Sequence, residues 1–286
     1  MSKLSNPSYV SSLLSRHGIR LKKKWGQNFL VDENILDKIV SVAALTKADN
    51  VLEIGPGIGS LTEKLAQQAG KVTALEIDIR LLPVLNETLA EYDNVTIIHQ
   101  DAMKADYHQL LTDKTVIVAN LPYNVATPLF YLWLKEYRLA INKCVCMVQK
   151  EVAQRLVAPP GGKDYGTLSV VTRYAAAAQI AFEVPRTVFF PRPEVTSAVI
   201  ELQPYKKTAL SQAEEKIFFQ VVEAVFAQRR KTALNTLQAA FKLPKEEITA
   251  LGRIAGIDLS RRGETLNEHE FAVLAKLFYN KINADY

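Results

Sequence analysis

The chain has 286 residues, 48% of them hydrophobic and 23% charged, enough to bury a sizeable core and to hold one larger and one smaller domain. No apolar run approaches the roughly 18 to 20 residues of a membrane-spanning helix, and the N-terminus lacks the apolar stretch and small-residue cleavage site of a signal peptide, so a cytoplasmic protein without a membrane partner is expected. The net charge of +5 is unevenly spread: residues 1–31 carry six Lys and Arg and no acid, residues 32–205 carry 16 basic and 20 acidic residues, and residues 206–286 carry 13 and 10. Basic flanks around a near-neutral body suit a protein that meets phosphate, and a solvated basic tail has the same composition.

In chain order, residues 1–31 read as a basic N-terminal arm, with Lys22, Lys23 and Lys24 as candidate phosphate contacts. Within 32–205, short β-branched runs at 51–54, 72–76, 95–98, 115–119, 144–148, 179–183 and 196–202 alternate with helix-period segments around 60–69, 79–91, 127–138, 149–157 and 167–178. That alternation predicts an α/β domain, a Rossmann-like sheet of seven strands, largely parallel. The last two strands are joined by VPRTVFFPRP, too short for a crossover helix, so they are expected to pair antiparallel and form an edge. The run at 144–148 holds the two cysteines, Cys144 and Cys146, which a strand points to one face and buries reduced. The four histidines are scattered without zinc-ligand spacing, so no metal is expected. After a linker at 203–210, helix-period patterns at 211–228, 230–241, 245–255 and 268–281 predict a small all-helical domain over 206–286.

The first strand ends in Gly55-Pro56-Gly57-Ile58-Gly59, followed by the capping-box sequence Ser60-Leu61-Thr62-Glu63. Glycines let the backbone turn and approach a ligand at the carboxyl end of a strand, where open α/β sheets bind their ligands. A dinucleotide fingerprint needs glycine where Ser60 stands, and Pro56 occupies its pyrophosphate turn, which counts against a nicotinamide oxidoreductase. Glu76, ending the second strand, is placed to accept from ribose hydroxyls. Asp101, followed by Ala102 just past the third strand, is placed to accept from the exocyclic amine of an adenine. A glycine loop, an acid and an aspartate in that order form the signature of a methyltransferase using S-adenosyl-L-methionine.

The fourth strand runs into Asn120-Leu121-Pro122-Tyr123. The amine of adenine is a poor nucleophile because its lone pair is delocalised into the ring, and paired hydrogen-bond acceptors favour its pyramidal form. The Asn120 side-chain oxygen and the Leu121 carbonyl are read as those acceptors, Pro122 as the stiffener of the turn and Tyr123 as a ring that stacks on a base taken out of its helix. An intact Asn120 to Tyr123 motif argues against a non-catalytic RNA-binding assembly factor.

With these motifs the chain resembles the ribosomal RNA adenine dimethyltransferase family over nearly its whole length. The resemblance rests on Gly26-Gln27-Asn28-Phe29-Leu30, EIGPGIGSLT, LEID, QDAM, NLPYN and Phe189-Phe190-Pro191-Arg192-Pro193-Glu194-Val195-Thr196-Ser197. It implies that Gln27, Asn28 and Leu30 belong to the cofactor site, with Asn28 and Leu30 closing over the methionine end, and that Phe189 stacks opposite Tyr123. Pro56 and Leu121 follow the pattern of the small-subunit members, as does Phe226-Ala227-Gln228-Arg229-Arg230-Lys231-Thr232, although Ala227 stands where Asn or Ser is commoner. The implied function is dimethylation of two adjacent adenosines in a hairpin loop of small-subunit RNA. The implied partners are that RNA and the assembling subunit, met by a monomer that uses Arg229, Arg230 and Lys231 for RNA contact.

Overall fold

The computed structural model describes residues 2–19, 28–112 and 114–284. After α1 (Pro7–Arg16), β1 (Phe29–Leu30) and α2 (Glu33–Ala43), the α/β part runs β2 (Asn50–Ile54), α3 (Ser60–Gln68), β3 (Lys71–Glu76), α4 (Leu82–Thr88), β4 (Val95–His99), α5 (Tyr107–Leu110), β5 (Thr115–Asn120), α6 (Ala126–Leu132), β6 (Ile141–Gln149), α7 (Lys150–Val157), α8 (Thr167–Ala175), β7 (Ala176–Val184), β8 (Phe189–Phe190) and β9 (Ser197–Pro204). Helices α9 (Gln212–Phe226), α10 (Ala233–Phe241), α11 (Lys245–Ala255) and α12 (Glu268–Ala284) follow. Each of the seven strands and four C-terminal helices expected from the sequence is present, the helix at 245–255 with the expected ends and the others with shifted ends.

The main sheet has the order β4-β3-β2-β5-β6-β9-β7. Burial along each strand explains its place. β2, β5 and β6 are buried on both faces and lie centrally, whereas β4 and β7 carry mixed patterns and take the edges. Cys144 and Cys146 are free thiols inside β6, and burial pushes both thiols far up from their ordinary value. β3 and β5 pair parallel to β2 on opposite sides, so the chain reverses direction across the sheet at β2 and opens a crevice at the carboxyl ends of β2 and β5. The expectation of a paired edge from the last two strands is corrected in one respect. β9 inserts between β6 and β7, antiparallel to β6, and its apolar run is buried on both faces, so β7 alone forms the edge.

Residues 2–19, expected as part of a basic arm, carry an apolar face that packs onto the α/β part. Asn6 caps α1 by accepting from the amides of Ser8 and Tyr9, and Val10, Leu13 and Leu14, at helical spacing, bury with Leu4 and Ile19 against Phe29, Ile58, Leu81 and Val84. Arg16 stays at the surface and pairs with Glu87 at 2.8 Å. Lys22, Lys23, Lys24 and Gln27 lie outside the described residues.

Two compact units divide the chain: Met1–Ala153 with Ala178–Pro204, and Gln154–Ala177 with Tyr205–Tyr286. The boundary expected between 205 and 206 falls beside one of the chain crossings. Residues 154–177, expected inside the α/β domain, group with the C-terminal helices because their side chains are committed there. The Tyr165 hydroxyl donates to the Leu266 carbonyl at 2.9 Å, the Tyr174 ring stacks on Phe218 at 4.0 Å, and Arg173 pairs with Glu268 at 2.9 Å.

Candidate active site

Asn28, Leu30, Gly55, Gly57, Glu76, Asp101, Ala102, Asn120, Leu121, Pro122 and Tyr123 line one cleft at the carboxyl ends of the central strands. Nine of these eleven residues come from the ends of β2, β3, β4 and β5 or the turns that follow them, which is why the motifs sit far apart in sequence and side by side in space. Gly57 is the position where glycine is required: its φ is +62°, and a Cβ there would stand 2.9 Å from the Phe29 ring. The Gly57 amide donates to Glu76 Oε2 at 3.2 Å and the Asp78 amide to Oε1 at 2.8 Å, so the backbone aims the Glu76 carboxyl at the loop. Glu76 is 4% exposed, and burial raises its pKa against those two hydrogen bonds.

Asp101 opens a short helical turn and accepts from the Met103 amide at 2.9 Å through Oδ1. The carbonyl of Ala102 is held by the hydroxyl of the buried Tyr107 at 3.0 Å. At the end of β5, the Asn120 amide nitrogen donates to the Asn28 carbonyl at 3.2 Å, and the Leu121 amide donates to the Met147 carbonyl at 3.0 Å. Pro122 packs 3.7 Å from where a Gly55 Cβ would be, and the Tyr123 hydroxyl lies 3.2 Å from Ser197 Oγ.

Phe189 does not reach this cleft. It is 5% exposed, registers with Leu30 across the β1–β8 pair, and packs in the core with Val184, Val188 and Val199. An apolar ring gains more from that burial than from standing in the open cleft opposite Tyr123. Leu30, its strand partner, is also buried but keeps a face on the cleft.

Glu53 escaped the sequence reading. It is 1% exposed on the cleft wall, and burial, with the nearby Glu76 charge adding and the Thr62 hydroxyl opposing, pushes its carboxyl up to about 8. Its Oε2 has no hydrogen-bond partner among the described residues, nor has the neighbouring Ser60 Oγ. The signal was a lone acid inside the apolar run Val51-Leu52-Glu53-Ile54. With Glu53, Glu76 and Asp101, the cleft lining has three carboxyls and no Lys, Arg or His among the described residues. A lining of carboxyls without a cation offers a pyrophosphate no counter-charge.

The family model for ribosomal RNA adenine dimethylases matches residues 18–278. The chain belongs to this family. Among similar dimethylases, the ribosomal RNA small subunit methyltransferase A of Geobacillus thermodenitrificans (strain NG80-2) is 50% identical over 281 residues, 95% of this chain and 96% of that one. The enzyme of the same name from Anoxybacillus flavithermus (strain DSM 21510 / WK1) is 48% identical over 96% of both chains. Among solved structures, a dimethyladenosine transferase from Plasmodium falciparum aligns with a TM-score of 0.74 at 28% identity, covering 88% of this chain and 97% of its own. The 23S rRNA methyltransferase ErmE aligns with a TM-score of 0.64 at 27% identity, covering 87% and 99%.

In the helical unit of this dimethylase, Arg229, Arg230 and Lys231 are exposed on the turn between α9 and α10. Arg229 is tied down, donating to the Lys163 carbonyl at 2.7 Å and lying 3.5 Å from Glu264. A bridge between Thr232 and Arg262 brings the exposed Arg262 to the same turn, whereas its neighbour Arg261 is engaged by Glu270.

Proposed function

We propose that this dimethylase uses S-adenosyl-L-methionine to dimethylate the exocyclic amines of two adjacent adenosines in a hairpin loop near the 3′ end of 16S ribosomal RNA, acting as a cytoplasmic monomer on the assembling small subunit. The observation that carries the reading is the meeting, in one cleft, of an acid-rich wall with the Asn120 to Tyr123 turn. The residues fit the cofactor on the structure's own terms: a glycine loop with Gly55 and Gly57 at positive φ along the cleft and, beside it, a buried Glu53 whose Oε2 has no hydrogen-bond partner among the described residues. Glu76 would hold its ribose, Asp101 its adenine amine, and Asn28 and Leu30 its methionine end. When bound, the cofactor supplies an electrophilic methyl group on a sulfonium that is itself the leaving group.

The chain's own residues then orient the amine. Because the Asn120 nitrogen is committed to the Asn28 carbonyl, the Asn120 oxygen is the amide atom left to accept from the target. With the Leu121 carbonyl it draws both amine hydrogens out of the ring plane, and the surplus proton leaves to water without a protein base. Tyr123 supplies a ring face for the flipped adenine. Such a pocket reads little beyond an adenine and its amine, so RNA contacts outside it, at Arg230, Lys231 and Arg262 and on the Lys22 to Lys24 segment, must choose which adenine enters.

The test is nucleoside mass spectrometry of small subunits from cells lacking this protein, followed by methylation of those subunits with purified protein. Dimethyladenosine absent before and restored after treatment is the expected result. Monomethyladenosine as the sole end product would overturn the dimethylation claim.

A further inference from the structure

Ser197 ends the FFPRPEVTS segment, and nothing in the reaction just described uses it. It is the first residue of β9 and pairs with Gln149, the last residue of β6. Because β9 runs against β6, its beginning lies at the sheet edge where the parallel strands end, which is the edge that carries the cleft. The antiparallel strand therefore delivers Ser197 to the active site from a point 74 residues away from Tyr123 in sequence. The main chain around it is pinned: the Lys150 amide donates to the Thr196 carbonyl at 3.0 Å. Ser197 itself is 0% exposed, and its Oγ lies 3.2 Å from the Tyr123 hydroxyl.

We propose that Ser197 is a positioning residue that tethers the Tyr123 phenol and thereby sets the tilt of the ring on which the target adenine stacks. This rests on the proposed methylation of adenine. A tyrosine on a short turn turns about two side-chain torsions, and a hydrogen bond at the far end of the ring removes most of that freedom. Burial holds the phenol above its ordinary ionisation range, so at neutral pH it remains a neutral hydroxyl able to share a proton with Ser197. With its hydroxyl engaged at the strand, Tyr123 meets the base with its ring face.

The tether matters most for the second methyl. An unmodified amine has two hydrogens for the Asn120 oxygen and the Leu121 carbonyl, and these two bonds fix the base even on a loosened ring. A singly methylated amine has one hydrogen left, so the plane of the Tyr123 ring carries more of the alignment. Loss of the tether should therefore slow the second transfer more than the first.

The experiment compares wild type, Ser197→Ala, Tyr123→Phe and the double variant on small subunits lacking the modification, following monomethyl- and dimethyladenosine in time, with cofactor affinity by calorimetry and thermal unfolding alongside. The expected result is a rise of about fivefold in the monomethyl to dimethyl ratio in each single variant, the size of one neutral hydrogen bond, with no further rise in the double variant. Cofactor affinity should be unchanged. An unaltered ratio in folded Ser197→Ala, or additive effects in the double variant, would overturn the tether. Failure of wild type to form any methylated adenosine would instead sink the reading on which it rests.

Discussion

The Asn120 side-chain nitrogen donates to the main-chain carbonyl of Asn28 across 3.2 Å, linking the end of β5 to the segment that enters β1. An amide has two ends, and tying the donor end fixes where the acceptor end points. The proposed catalytic residue is thus oriented by the same N-terminal segment that lines the cleft.

Asn120→Ala should lower the single-turnover methylation rate by about 100-fold or more while leaving the fold and RNA binding in place, since it deletes a preorganised acceptor. Asn120→Asp should also lose rate, because its carboxylate cannot donate to the Asn28 carbonyl. Rapid-quench measurement of the first turnover checks both. A rate within about threefold of wild type for Asn120→Ala would make Asn120 a turn residue only.

Asp101 lines the cleft and also caps the Met103 amide through Oδ1. Asp101→Ala should weaken cofactor binding by roughly 1.5 to 3 kcal/mol and RNA binding little, by loss of a charge-assisted hydrogen bond. Asp101→Asn retains an oxygen for Met103, so a comparable loss in that variant assigns the effect to the charge. Calorimetric titration with unchanged affinity in the folded variants would remove Asp101 from the adenine site.

Burial raises the Glu53 carboxyl from 4.5 to about 8, so between these values the folded chain holds a proton that the unfolded chain has released. Stability from this group is greatest below the unfolded value and falls as pH rises towards about 8, then levels. Glu53→Gln carries no charge at any pH and removes that slope. Melting temperatures measured from pH 5 to 9 should show wild type losing more stability than the variant as pH rises. Parallel curves would mean that Glu53 is ionised in the free protein.

Arg230→Ala with Lys231→Ala should raise the apparent KM for the small subunit and flatten its salt dependence, with cofactor affinity unchanged. Arg229 is left intact because it holds the Lys163 carbonyl and its removal would disturb the turn. Methylation measured at several salt concentrations decides. A steep slope retained in the double variant would place the RNA surface elsewhere, with the Lys22 to Lys24 segment the next to change.

What the sequence determined by itself was local and periodic. Strand runs such as Val51 to Ile54 and Thr115 to Ala119 declare themselves as short β-branched runs, and the glycine loop, Glu76, Asp101 and Asn120 to Tyr123 stand at or just past strand ends that share one edge. Any chain with those elements in that order must bring those turns together. Tertiary structure alone decided what depends on partners distant in sequence. It inserted β9 between β6 and β7, committed residues 154–177 to the helical unit, folded Val10, Leu13 and Leu14 onto Phe29 and Ile58, and drew Phe189 into the core beside Leu30. It also left Glu53 Oε2 without a partner among the described residues and set Ser197 against Tyr123. Residue type announces that a side chain is apolar, acidic or able to hydrogen-bond. Which neighbour satisfies it, and how much water it loses in doing so, is fixed only when strands from separate parts of the chain take their register.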